Sequence, residues 1–579
     1  MSKAPNYDQK VKTILDNLQP SERSCALTGE KWMMDQNEID WYRKFNVPPS
    51  PWCHLTWMKI LLGYAAAYQW WWNKDYETGK PVLSHIHPAT GIKILPDDKW
   101  FAQDFAKINR EYDSERPFFE IMRDLQLEVP INHSRNMEIP ENSISRASFG
   151  DVNSYYVSGC RTKNCFFGND SLDVESSAEF QTSNKITNSF NALHSQRIHG
   201  SKFVRESFDC MNCSFVFDCR NCENCFGAWN KRNAKFLLFN EQLSEQVWRD
   251  KVAAIDLGSR KTLEEYKERF YNEIMQDKAV WPENFNVQCD DCTGEYLIRC
   301  HDLKDVWMAE DSSTACYSFA LFEKSENVMF SAGVVAQNVY GCFGPLPAAN
   351  CKFGFCTNRC DDCEYCMTCY DCTHCFGCIG LRKKRFHIFN KEYSEQEYWQ
   401  KVDELKCAML DRGEYGQFFP MSMGPGYFPE AGAPIYYAAE PDEGKILGAL
   451  DFEPSSYDAY GEKLTENVEA LDPETVPDNI KDINPDEWAN KPINDPVQGR
   501  KFTYYKPELE MYKKMGIAAS NKHFIRRVLE LYSQLNCGRM IDVKCEQCSK
   551  ELKTAFNRAF PNKKVYCHEC YLKYLEQHG

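Results

Sequence analysis

From Cys360 to Cys378 a cysteine stands at every third position, in "CDDCEYCMTCYDCTHCFGC". That spacing restricts the fold more than any other feature of the chain. Side chains of a strand alternate with a period of two, and a helix face recurs every 3.6 residues. A strict period of three matches neither. It matches a narrow β-solenoid, in which very short strands meet at corners and each corner turns one small side chain inward. The residues between the cysteines suit such corners, being rich in Asp, Asn, Ser and Gly ("DDCEYC", "FDCMNC", "SSTACYSF"). Cysteine is small, apolar and readily buried, so a stacked thiol core is reasonable in a reducing cell. The metal alternative has CxxC pairs of adjacent coils clamping zinc or an iron–sulfur cluster. A redox CxxC is a third reading, without the βαβ context such a motif needs.

The cysteines belong to a duplicated module. Cys210, Cys213, Cys219, Cys222 and Cys225 recur 150 positions later as Cys360, Cys363, Cys369, Cys372 and Cys375. The match runs on without a gap, "CFGAWNKRNAKFLLFNEQLSEQVW" lying over "CFGCIGLRKKRFHIFNKEYSEQEYW". Each copy reads as a cysteine-rich run, an alternating strand and a helix. Ser394 and Glu397 form a capping box in the second copy, and Val247 stands in place of the glutamate in the first. Cys366 and Cys378 face Val216 and Ala228, so packing is preferred over metal as the reason for the run.

A second repeat joins the chain ends. "CEQCSKELKTAFNRAFPNKKVYCHECY" from Cys545 lies over "DYETGKPVLSHIHPATGIKILPDDKWF" from Asp75, and "MYKKMGIAASNKH" over "WYRKFNVPPSPWC". Cys545, Cys548, Cys567 and Cys570 form two CxxC knuckles, the spacing of a closed structural zinc site with four soft ligands. His568, inside the second knuckle, reads as a surface residue. The N-terminal copy has Asp75, Thr78, Asp97 and Trp100 at those positions and is read as metal-free. "CALT" and "CHLT", with Cys25 and Cys53, are half-knuckles whose second ligand is threonine; His54 offers itself as a further donor. His85 and His87 read as solvated turn residues.

The sequence has no P-loop, dinucleotide fingerprint or HExxH motif, and no catalytic residue is assigned. The first residues read as a short amphipathic helix without the apolar core of a signal peptide, which makes the cytosol, with its reduced thiols, the expected compartment. "LTWMKILLGYAAAYQWWW" (55–72) is interrupted by Lys59 and Gln69, so a buried or partner-facing helix is expected there and no membrane span. Trp52, Trp57, Trp70, Trp71 and Trp72 form an aromatic cluster suited to a core or a protein anchor. The formal net charge is −16, yet residues 500–579 carry about +8, leaving about −24 on the rest. A basic ribbon is a candidate for RNA or ribosome contact; equally, it suits docking on the chain's own acidic run.

The chain resembles a large group of uncharacterised cysteine-repeat, zinc-ribbon proteins of candidate-phyla-radiation (Patescibacteria) bacteria. The resemblance rests on "WYRKFNVPP", "TGKPVLS", "SERPFFE", the doubled "CFG…FNxxxSEQ" module, "GEYGQFFPMS" and the terminal "ELEMYKKM…CEQC…VYCHECY". It implies zinc in the C-terminal ribbon and brings no established activity. Similar proteins keep paired cysteines and an arginine-rich helix near the N-terminus; the apolar run here speaks instead for a buried or assembly interface.

The expectation is therefore a mainly β multi-domain chain with α+β ends. A degenerate ribbon-like domain (1–135) precedes two cysteine-rich β-solenoid modules (136–285 and 286–426), each closed by a strand and helix. An acidic Pro-rich linker (427–499) leads to a basic zinc ribbon (500–579). The expected role is a non-enzymatic cytoplasmic scaffold for protein partners or self-assembly. The alternatives are an RNA- or ribosome-associated factor and a thiol-based metal-storage or redox protein.

Overall fold

The computed structural model describes residues 3–451 and 469–579, which adopt a mixed α/β fold with many short strands. They fall into two compact units, each assembled from separated stretches of chain. One gathers the described parts of Met1–His133 and Asn284–Glu453 with Cys537–Arg539. The other gathers Ser134–Glu283, Met540–Gly579 and the described part of Pro454–Asn536. The N-terminal segment thus packs with the second cysteine-rich stretch, and the C-terminal segment with the first.

In the unit holding the first stretch, strands of three or four residues alternate between two parallel sheets. One sheet runs from Ile144–Arg146 to Ser214–Phe217, the other from Arg161–Lys163 to Phe208–Met211. Tyr155 pairs with Phe166, 11 residues on; from Phe166 each turn of chain advances 12 residues, as Phe190 pairs with Lys202 and Gln196 with Phe208. Past Phe217 the strands shrink to single parallel bridges on the same register: Met211 with Glu223, Ser214 with Phe226 and Phe217 with Trp229.

The corners account for the period of three. Asp209, Asn212, Asp218, Asn221 and Asn224 all hold positive φ, between 48° and 56°. Asn and Asp tolerate that region because their short polar side chains bond locally. The residue after each of these corners points inward, and Cys210, Cys213, Cys219, Cys222 and Cys225 are buried. Larger side chains are costlier there, and stacking offsets the cost: Phe203 and Phe215, both at positive φ, stack at 4.6 Å with planes 3° apart.

From Ser171 to Ser207 serine fills every second inward position, with Val174, Phe180, Ile186, Ala192, Ile198 and Val204 between. The Oγ of Ser195 donates to Leu193 O at 2.9 Å and accepts the Ser207 N–H at 3.2 Å. Ser207 does the same one turn on, accepting from the Cys219 N–H at 3.0 Å. Cys219 then continues the column, its Sγ 3.6 Å from Phe217 O. Along this column the corner takes a small side chain that bonds to the carbonyl two residues back, and Ser and Cys both supply it.

The other unit repeats the plan in the second stretch. Gln337, Ala349, Asp361, Thr373 and Arg385 pair in succession, again 12 residues apart. Asp362, Thr368, Asp371 and His374 hold the positive-φ corners, and the cysteines from Cys360 to Cys378 are all buried. The helix Glu395–Asp411 follows. Ser394 Oγ accepts the Glu397 N–H at 3.3 Å, and the Glu397 carboxylate accepts the Ser394 N–H at 3.2 Å. Ser244, its counterpart, makes no side-chain cap bond.

The tryptophan-rich run contains the helix His54–Gly63. Trp57 is fully buried, stacks on Phe330 at 5.1 Å and donates from Nε1 to Ser50 Oγ at 2.6 Å. Trp52, Trp70 and Trp71 are buried as well, and Trp72 is exposed. No helix among the described residues is long and apolar enough to cross a membrane.

Two local expectations are corrected. His85 and His87 are buried, not solvated. The His87 ring lies edge-on to Trp71 at 4.5 Å, and its Nδ1 accepts the Ala89 N–H. The run 427–499 is also not uniformly a solvated linker. Gly432–Tyr437 is a buried helix, because "IYY" is apolar enough to join the core beside His54–Gly63. Further along, Val476, Ile480, Ile483 and Ile493 are buried, with the acidic residues between them facing outward. The linker positions 452–468 lie outside the described residues.

Candidate metal centre

The same turn is built three times. At Cys545 the N–H donates to Lys550 O at 2.9 Å, and the Ser549 N–H donates back to Cys545 O at 2.8 Å. At Asp75 the partners are Lys80 O and the Gly79 N–H, each at 2.8 Å; at Cys25 they are Glu30 O at 2.8 Å and the Gly29 N–H at 2.9 Å. The fifth residue of each turn, Ser549, Gly79 or Gly29, has positive φ. Antiparallel hairpin strands flank each turn: Asn536–Lys544 with Glu551–Asn557, Trp71–Lys74 with Pro81–Ser84, and Ser21–Ser24 with Lys31–Met34.

What differs is the side chains the turns bring together. Cys545 and Cys548 meet Cys567 and Cys570, the latter pair at the start of the helix His568–His578. All four Sγ atoms lie within 4.8 Å of one another, with Cys548 and Cys567 at 3.8 Å. The four thiols are positioned to bind a metal ion. Main-chain N–H groups favour the thiolate form. Burial pushes the Cys545 thiol up, but the N–H groups of Cys567, Cys548 and Gln547 outweigh it and bring the pKa to about 6. Cys570, by contrast, is pushed up to about 12, first by the Cys567 thiol. His568 is exposed, as the sequence suggested.

At Asp75 the turn holds an ion pair. Lys99 Nζ sits 2.5 Å from Asp75 Oδ2, and the Thr78 hydroxyl donates to the same oxygen at 2.7 Å. Burial pushes the Asp75 carboxyl up, yet Lys99 and Thr78 together hold it at about 2. Trp100 is fully buried, its Nε1 donating to Pro130 O. An ammonium on the carboxylate and an indole leave no soft donor set here.

At Cys25 the turn brings two thiols onto one hydroxyl: Thr56 Oγ1 lies 3.4 Å from Cys25 Sγ and 3.2 Å from Cys53 Sγ. His54 points elsewhere, its Nε2 2.8 Å from Glu38 and its ring stacked on Tyr317 at 3.5 Å. The half-knuckles are legible in the spacing; that Thr56 links them depends on a contact between segments, which spacing alone does not show.

The helices preceding two of these turns match as well. Gln36–Phe45 and Lys506–Met515 each carry a glutamate–tyrosine bond, Tyr42 to Glu38 at 2.6 Å and Tyr512 to Glu508 at 2.9 Å. Each ends on a left-handed residue, Asn46 or Gly516. Compared with known proteins, the chain matches no family model and no curated protein.

Proposed function

We propose that this chain is a non-enzymatic, zinc-binding scaffold that presents two stiff surfaces to protein partners or to further copies of itself in the cytoplasm. The carrying observation is the four-thiol set. A tetrahedron with metal–sulfur bonds of about 2.3 Å has sulfur–sulfur edges of about 3.8 Å, the distance between Cys548 and Cys567. Cys545, Cys548, Cys567 and Cys570 fill all four positions, so zinc there is structural, with no open site for water. The free state of every cysteine fits a reducing compartment.

In this reading the two parallel stacks are narrow β-solenoid modules and the chain ends are diverged ribbon domains, one metallated. The common 12-residue register and the threefold recurrence of the turn support it. The kinship with cysteine-repeat, zinc-ribbon proteins belongs to the same proposal. A cleft of about 80 Å³ beside Glu179, Lys267, Tyr271 and Arg527 is far smaller than the roughly 300 Å³ at which small-molecule sites begin.

The RNA-associated alternative is weakened by where the basic charge goes. Arg527 is buried against Glu179 at 2.8 Å, Arg526 meets Asp495 and Glu530, and Lys506 meets Asp486 at 2.5 Å. The positive segment is thus partly neutralised by its own unit. Metal analysis of the full chain, purified without air, tests the proposal. About one zinc per chain, lost in Cys545→Ser, is expected. A metal-free chain, or zinc unaffected by that substitution, refutes it. Salt-sensitive RNA retention that disappears with residues 500–579 would instead favour the alternative.

A further inference from the structure

Tyr156, Phe167, Glu179, Asn191, Phe203 and Phe215 occupy one column of corners in the first stretch, with φ between 54° and 59°. The aromatic members stack, Phe167 on Tyr156 at 6.1 Å and Phe215 on Phe203 at 4.6 Å. Glu179 and Asn191 interrupt the column with polar side chains, although both are buried. A buried carboxylate and amide are costly unless each finds partners, so the fold alone would favour rings here as well.

These two residues line a cleft of about 80 Å³. One wall comes from the helix Arg260–Arg269 and its continuation Phe270–Lys278, which is wound as a π-helix. Such turns are rare and concentrate at functional sites. This one brings Tyr271 to the cleft beside Lys267.

The polar groups around the cleft are short of acceptors. Each lining carboxylate is already matched by a cation: Glu264 by Lys267 at 2.8 Å, Glu530 by Lys522 at 3.0 Å and Glu179 by Arg527 at 2.8 Å. Arg527 also has Glu508 at 3.6 Å, yet its buried Nε–H finds no acceptor among the described residues. Two further guanidinium groups meet neutral acceptors only. Arg260, in the wall, donates to the carbonyls of Val476 and Pro477. Arg205, fully buried, donates to Gln534 Oε1 at 2.8 Å, to Asn191 O and Oδ1 at 2.6 Å each, and to Val204 O. It also donates to the Tyr271 hydroxyl at 3.3 Å. A buried cation without an opposite charge is costly, and an anion in the cleft offsets that cost. With its oxygen accepting from Arg205, the Tyr271 hydroxyl has its proton left for a ligand.

Size restricts that ligand. The volume is about half of the roughly 150 Å³ that admits benzene, which suits a compact ion and excludes a nucleotide. We propose that this cleft binds one small oxyanion, inorganic phosphate or a short carboxylate, through Lys267, Arg260 and the Tyr271 hydroxyl, with Arg205 holding that hydroxyl from behind. The site shares no residue with the four-thiol set and is independent of its assignment.

The test titrates the full chain by calorimetry with sodium phosphate and, separately, with sodium acetate, at ionic strength held constant with sodium chloride. One anion per chain should bind saturably, with a dissociation constant of about 1 mM or below. Phosphate bound in preference identifies the phosphate source, and acetate bound in preference the carboxylate. Lys267→Gln and Tyr271→Phe should each weaken binding about 10-fold, whereas Lys513→Gln, at an exposed position outside the cleft, should leave it unchanged. Amide hydrogen exchange of the unmutated chain is independent of how the variants fold, and the bound anion should slow it in Arg260–Lys278 and in 518–531. No saturable binding of either anion, binding that Lys513→Gln weakens as much as Lys267→Gln does, or protection confined to other segments overturns the proposal.

Discussion

Replacing Ser195 by alanine probes why serine recurs at every second corner of the first stretch. Its Oγ is fully buried, donates to Leu193 O and accepts the Ser207 N–H. Alanine removes the acceptor and leaves that N–H inside the stack, a cost of about 1–3 kcal/mol. Cysteine should do much better. Cys342 shows the replacement already built, its Sγ accepting the Gly354 N–H at 3.3 Å one turn on and lying 3.5 Å from Tyr340 O. Ser195→Cys is therefore expected to cost less than about 1 kcal/mol. Amide hydrogen exchange reads this locally. The Ser207 amide should exchange roughly 5- to 150-fold faster in Ser195→Ala, at 1.4 kcal/mol per decade, and only a few-fold faster in Ser195→Cys. Equal damage from the two substitutions, or no effect of alanine, would refute the view that the corner selects for this bond.

Other consequences can be measured directly. Trp57→Ala removes a fully buried ring stacked on Phe330 and should cost about 3–5 kcal/mol, seen as a lower urea midpoint for exchange protection in His54–Gly63; an unchanged midpoint would mean that this helix is not core. His523 is buried, and burial first, then Arg500 and Arg527, push its pKa down to about 3. Unfolded histidine titrates near 6.5, so below that pH the unfolded chain takes a proton that the folded unit excludes. Stability should fall between about pH 6.5 and 3, by about 2 kcal/mol at pH 5. His523→Asn keeps a side chain able to accept the Ile525 N–H that His523 Nδ1 now caps, and it should flatten that slope in urea titrations of Phe524–Tyr532. A slope unaltered by the substitution would place the acid sensitivity elsewhere.

Much of this architecture was legible in the residues. The period of three announced the corners, because only a chain that turns every third residue returns the same side chain inward, and the Asp and Asn between the cysteines marked the positive-φ positions. The two CxxC knuckles picked out the four thiols that the structure brings within 4.8 Å of one another, since a four-thiol set is encoded in short local spacing. What stayed hidden depends on contacts between distant segments. Nothing local in "SHIHP" says that Trp71 covers His87, and the apolar content of "IYY" was masked by its acidic neighbours. The regrouping of chain ends with cysteine-rich stretches was likewise invisible, because the match of the segment from Cys545 to that from Asp75 relates the ends to each other and says nothing of their packing partners.

The division into units has a consequence for synthesis. The segment ending at His133 joins a unit whose next stretch begins only at Asn284. At roughly 5–20 residues per second, the ribosome needs about 8–30 s to make the intervening 150 residues. Throughout that interval Trp57, Ile60, Leu61 and Leu62, all buried in the finished protein, have emerged without the aromatic ring of Phe330 that Trp57 stacks on. The second unit then waits in turn for its own later stretch, so neither unit is made as one uninterrupted run of chain. A newborn chain must carry its apolar N-terminal helix through that interval, shielded by a holding chaperone or by transient contacts of its own.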